Sequence, residues 1–155
     1  MTYQEWLASV PDCFKNDPFW RVEVYRLSMF VADIGWPDVT KLFSDGRTRG
    51  LADQVNRSIG SISTDVAEGY SRASHKDQAR FDEYALGSTR ESRNWYYQGR
   101  HVLTERVSLH RMELLTQIIR LLLTMIPNER SIALREASLP YGTNAWEIET
   151  VPFAA

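Results

Sequence analysis

Cysteine is nearly absent from this 155-residue chain. Cys13 stands alone, so no disulfide can close within it. A single thiol suits a reducing compartment. Proline is missing from residues 50–126, which excludes its helix-breaking effect over half the sequence. Long apolar runs are also missing. The longest, Leu121 to Ile126 with Thr124 inside it, falls far short of the ~20 residues a membrane helix needs. The opening residues, Met1-Thr2-Tyr3-Gln4-Glu5-Trp6, lack the basic-then-apolar order of a secretory signal. A large excess of one charge is lacking as well. The formal net charge is −2, which argues against a strong general nucleic-acid binder. These absences predict a soluble, cytoplasmic protein with no membrane partner.

The length fits one domain that buries roughly two-thirds of its unfolded surface, enough to fold without a metal or a disulfide. Charge is unevenly spread. Residues 1–39 hold three Lys/Arg against six Asp/Glu, residues 40–111 twelve against nine, and residues 112–155 three against five. The middle is mildly basic, a pattern that ordinary surface variation also produces.

Helical periodicity dominates. Asp17-Pro18 supplies an N-cap and a first-position proline for a first helix carrying Trp20, Val24, Leu27, Val31 and Ile34. Gly35-Trp36-Pro37 is expected to interrupt it, with Asp38–Phe43 continuing after a kink. The chain then turns at Asp45-Gly46-Arg47. A second helix follows with one apolar stripe: Leu51, Val55, Ile59, Ile62, Val66 and Tyr70. Beside it, Ser58, Gly60, Ser61 and Ser63 allow close helix approach. Ser74 caps a third helix, expected to bury Phe81, Tyr84, Ala85, Ser88, Trp95, Gly99, Val102 and Leu103. A turn near Glu105–Ser108 leads to a fourth helix with two stripes. One is Met112, Leu115, Ile119, Leu122 and Ile126; the other is Leu114, Ile118, Leu121 and Met125. A helix in a monomeric bundle needs one stripe. The second predicts an oligomer interface at Leu114, Ile118, Leu121 and Met125, unless this helix is simply the most buried. The pattern is all-α: an antiparallel four-helix bundle at 17–127, a short leader at 1–16, and an extended tail at 128–155 anchored by Trp146 or Phe153.

No catalytic constellation is present. Glu-x-x-His pairs, which a di-iron bundle needs, are missing. His75, His101 and His110 lack metal-ligand spacing, and no nucleophile elbow, P-loop or dinucleotide fingerprint occurs. No cofactor or metal is expected, and no enzyme. Glu68 and Arg72 have the order of a helical ion pair. Glu91 and Asp65 lie beside apolar faces and are expected to find partners on neighbouring helices. The best functional candidate is the stripe Arg90, Arg93, Tyr97 and Arg100 on one face of the third helix. Arginines contact phosphates and tyrosine stacks on unpaired bases, although such a face is also common as solvated surface.

Residues 51–72 and 85–91 carry a resemblance. Leu51, Gln54, Val55, Arg57, Ser61 and Ile62 lead into Val66-Ala67-Glu68-Gly69 and Arg72, and Ala85-Leu86-Gly87-Ser88-Thr89-Arg90-Glu91 follows. The pattern resembles the bacterial four helix bundle protein family, the ribosomal-RNA intervening-sequence proteins, over about residues 18–126. The family's paired arginines are Asn56-Arg57 here, the following alanine is Ser58, and its asparagine is Asp65. The resemblance implies an up-down-up-down bundle in a homopentameric ring with no catalytic residues. It makes Gln54, Ser61, Glu68, Gly69, Arg72, Gly87, Ser88 and Glu91 structural motif positions. It also implies kinship with accessory proteins of diversity-generating retroelements, which act beside nucleic acid. Arg57 joins the stripe as a candidate nucleic-acid contact.

Two functions follow. One is an oligomeric scaffold touching structured RNA or a ribonucleoprotein. The other is a protein-interaction ring that binds no nucleic acid.

Overall fold

The periodic stretches become helices separated by very short connections. In a computed structural model that describes residues 1–126 and Pro152, two short helices come first, α1 (Tyr3–Ser9) and α2 (Asp12–Lys15). A 3-10 turn at Pro18–Arg21 precedes four long helices: α3 (Glu23–Ser44), α4 (Arg49–Tyr70), α5 (His75–Leu103) and α6 (Glu105–Met125). No strand occurs among the described residues. Each long helix packs on the next, and α3 also meets α6.

Local chemistry sets the boundaries, not always where expected. Asp17 is a cap, but its carboxylate accepts the Phe19 N–H of the 3-10 turn, and α3 begins only at Glu23, six residues later. The Gly35-Trp36-Pro37 interruption does not occur: α3 runs through Pro37. Tertiary packing outweighs the missing N–H, since Val31, Ile34, Gly35 and Leu42 are all buried around it. The turn at Asp45 forms as expected, with its carboxylate accepting from the Arg47 N–H. Ser74 caps α5 by accepting from the Asp77 N–H. The expected turn at Glu105–Ser108 is instead one residue, Thr104, whose hydroxyl caps α6 at the Val107 N–H.

The expected leader belongs to the core. Trp6 of α1 is buried between Tyr3, Trp20 and Phe30, and its indole N–H donates to Asp33 at 2.6 Å. An indole buried with its one donor satisfied ties α1 firmly to α3. The buried face of α5 also differs from expectation. It comprises Asp82, Ala85, Leu86, Thr89, Ser92, Tyr96, Gly99 and Leu103, whereas Tyr84 is exposed and Phe81, Ser88, Trp95 and Val102 are half-buried. Small and polar residues hold this face because α5 is flanked by α4 on one side and α6 on the other.

The doubled stripe of α6 is corrected in part. Leu114 is 3% and Ile118 0% exposed, so both are consumed inside this chain. Only Leu121 and Met125 of that stripe stay half-buried. Trp146 and Phe153, expected to anchor the tail, lie outside the described residues.

Candidate nucleic-acid interface

The arginine–tyrosine stripe follows the edge of α5 that faces α6. Arg93 donates from Nη1 to the hydroxyl of Thr116 on α6 at 3.2 Å. Arg100 donates from Nη1 to the Tyr97 carbonyl at 2.7 Å, and its guanidinium carbon lies 4.0 Å from the centre of the Tyr97 ring. The ring itself is 54% exposed. Arg90 is half-buried. Between Arg90 and Leu103 the helix has three arginines and one acidic residue, Glu91. The structure thus brings Arg90, Arg93, Tyr97 and Arg100 onto one edge. Arg57 does not join them. It is exposed on α4, which meets a different face of α5.

The motif residues mark that α4–α5 junction. Ser92 of α5 donates to Ser58 of α4 at 2.8 Å, both buried. Ser88 hydrogen-bonds to Asp65, whose carboxyl is nonetheless pushed above its ordinary value by burial first and by Glu68 second. Gly69 is needed for close approach, since a Cβ there would lie 2.9 Å from Cβ of Phe81 and 3.2 Å from the Gln78 carbonyl. Glu68 and Arg72 form the expected ion pair, and the Arg72 guanidinium also covers the Phe81 ring at 4.5 Å. Gln54 and Ser61 are half-buried on α4. Gly87 faces open space. Among the described residues Glu91 meets no partner on a neighbouring helix; it is exposed and accepts from the Trp95 indole N–H at 3.1 Å within α5.

A second polar cluster was not anticipated. Arg111 of α6 is fully buried and donates from Nε to Asp38 of α3 at 2.8 Å. Its Nη2 reaches the Ile34 carbonyl at 3.3 Å and the Pro152 carbonyl at 3.0 Å. The Tyr96 hydroxyl of α5 donates to the same Asp38 carboxylate at 3.1 Å. Burial raises the Asp38 carboxyl even though Arg111 and Tyr96 pull it down, and burial raises the Tyr96 hydroxyl well above its usual range. His110 faces Nη1 of Arg111 at 3.0 Å, and burial plus the Arg111 and Arg106 charges lower it to about 4. A signal for this cluster did exist: Asp38 sits four residues from both Ile34 and Leu42, and Arg111 sits three before Leu114, so each occupies a stripe position. Among the described residues, no group of three metal-ligating side chains occurs, and no helix is long and apolar enough to cross a membrane.

The sequence model of the family described as "23S rRNA-intervening sequence protein" matches residues 21–129. No curated protein matches the chain, and no solved structure does.

Proposed function

Since the chain belongs to the 23S rRNA-intervening sequence protein family, we propose that it is a non-enzymatic scaffold that contacts structured RNA in the bacterial cytoplasm. In this reading α3–α6 form an antiparallel up-down-up-down bundle, and copies assemble into a homo-oligomer, a pentamer as the family resemblance implies. One observation carries the RNA contact: Arg93 and Arg100 are held in place, by Thr116 and by the Tyr97 ring and carbonyl, beside an exposed tyrosine. A pre-positioned guanidinium loses less freedom when it meets a phosphate. A ring of copies would repeat this edge, and the formal −2 of each chain would add with it.

Leu114 and Ile118 are buried within one chain, so in this reading assembly uses other surface. The larger exposed apolar surface is on α3, where Trp36 is 71% exposed and Phe43 lies seven residues on, also exposed. Beside Trp36 is a groove walled by Gly35 and Val39 of α3 and by Asn56 and Gly60 of α4. This surface also favours the second reading, a ring that binds a protein and no nucleic acid.

Titration with a structured ribosomal-RNA hairpin at several salt concentrations separates the two. RNA contact predicts binding that weakens steeply with salt, and a slope reduced by about one for each of Arg93→Gln and Arg100→Gln that touches a phosphate. Absence of binding at low salt removes the RNA reading. Light scattering of the purified chain gives the number of copies, and a monomer removes the ring.

A further inference from the structure

Five aromatic side chains and one carboxylate line an open cleft of about 430 Å³ where the N-terminal segment meets the end of α4. Phe14 comes from α2, Phe19 and Trp20 from the 3-10 turn, Tyr25 from α3 and Tyr70 from α4. Their rings form a continuous run. Phe14 to Trp20 is 6.5 Å, Trp20 to Tyr25 6.2 Å edge-on, Tyr25 to Phe19 4.2 Å, and Phe19 to Tyr70 4.6 Å. Phe14 and Tyr70 are exposed, so the run is open to solvent at both ends. The volume lies within the usual range for small-ligand sites.

Three sources of negative potential converge there. Aromatic faces carry a negative quadrupole. Asp17 lines the cleft, spends one oxygen on the Phe19 N–H, and makes no ion pair among the described residues. Tyr70 and Ser71 are the last residue and C-cap of α4, the negative end of its dipole. No lysine or arginine lines the cleft among the described residues. Three nearby cations are occupied, Lys15 by Asp12 and the Ala8 carbonyl, Arg26 by the Trp20 carbonyl, and Arg72 by Glu68 and Phe81, whereas Arg21 of the same 3-10 turn is exposed and is not among the residues lining the cleft.

We propose that this cleft binds an organic cation, an alkylated ammonium or a guanidinium group, sandwiched by the rings and neutralised by Asp17. A nucleotide would fit the aromatic walls, but its phosphate would meet the Asp17 carboxylate and the C-terminal end of α4. Phe14, Asp17, Phe19 and Trp20 precede the family match at 21–129, whereas Tyr25 and Tyr70 lie inside it, so the N-terminal segment supplies one wall of the site. The inference is independent of the RNA reading.

Calorimetric titration of the full chain tests it with four probes: choline, its neutral carbon isostere dimethylbutanol, N-acetylargininamide and adenosine monophosphate. At least one of the two cations is expected to bind saturably, and dimethylbutanol about ten-fold more weakly than choline if choline is the ligand. Preference for choline identifies a free quaternary ammonium; preference for the arginine derivative identifies a side chain of a peptide. Asp17→Asn should weaken cation binding several-fold while leaving the melting temperature unchanged, because asparagine caps as well as aspartate. Tyr70→Leu should weaken it too. The proposal is overturned if neither cation binds or if dimethylbutanol equals choline without arginine-derivative binding. Tighter adenosine monophosphate, or affinities untouched by both substitutions, also overturns it.

Discussion

Asp38 and Arg111 form an ion pair inside the protein, 1% and 0% exposed, that joins α3 to α6 across 73 residues of sequence. Tyr96 of α5 adds its hydroxyl to the same carboxylate, so three of the four long helices meet at one charge. Dispersion contacts alone let such helices slide past one another at little cost. A buried charge permits only the register that satisfies it. The Pro152 carbonyl accepts from the same guanidinium at 3.0 Å.

Asp38→Ala should therefore be costly out of proportion to its size. It takes from a fully buried guanidinium the carboxylate that accepts from its Nε, and the expected loss is about 3–5 kcal/mol. The double replacement Asp38→Leu with Arg111→Met should recover most of that loss. Urea denaturation of the two variants checks both values. A single variant that loses less than about 1 kcal/mol would mean that water reaches this pair.

The glycines separate by what a methyl group would meet. Gly60 and Gly87 face open space within α4 and α5, so alanine at either should stabilise by about 0.5–1 kcal/mol through helix propensity. Gly69 is confined by Phe81 Cβ at 2.9 Å and by a backbone oxygen of α5 at 3.2 Å. Gly69→Ala must push α4 and α5 apart, and a net loss of about 1–3 kcal/mol is expected. Thermal melts of the three variants should show opposite signs. If Gly60→Ala or Gly87→Ala leaves the melt intact but changes the solution mass, that face lies in an interface between copies.

The helices were legible because apolar stripes repeat every three or four residues in α3, α4 and α6. Much of the site was legible too, since Arg93, Tyr97 and Arg100 share a face by spacing alone. The inner face of α5 was not. Periodicity favours bulky apolar residues, whereas this helix buries Asp82, Thr89, Ser92 and Tyr96 between two neighbours. The partners of Ser92 and Tyr96, Ser58 on α4 and Asp38 on α3, are 34 and 58 residues away and appear only once the helices pack. Pro37 misled for a related reason: local preference was overridden by tertiary burial on both sides of it.

Thr104 should be a stabilising site for glycine. It is the whole connection between α5 and α6, and its φ of 79° with ψ of 148° is a region glycine occupies freely and a β-branched residue does not. The hydroxyl repays part of that strain by capping the Val107 N–H, at a long 3.4 Å. Glycine is only a few tenths of a kcal/mol poorer as a cap. Thr104→Gly should raise stability by about 1 kcal/mol, and Thr104→Val, which keeps the strain and loses the cap, should lower it by a similar amount. Equal destabilisation by both in a chemical melt would show that the cap outweighs the strain.

Two buried groups should oppose each other as pH changes. Burial alone pushes Asp82 from 3.8 up to about 6. The folded protein therefore holds that proton more tightly than the unfolded chain, and the stability it supplies is full below 3.8 and lost as pH rises through 6. His110 runs the other way, lowered from 6.5 to about 4, so its contribution is full above 6.5 and lost as pH falls through 4. Each spans roughly 2–3 kcal/mol, and in the wild type they largely cancel between pH 4 and pH 6. Asp82→Asn should gain stability over the wild type as pH rises across that window, and His110→Gln should lose it. Other titrating groups are common to both proteins and drop out of the difference. Urea midpoints of the three proteins at pH 4, 5, 6 and 7 would check this, and a difference that stays flat for either variant would mean that the group is hydrated in the folded state.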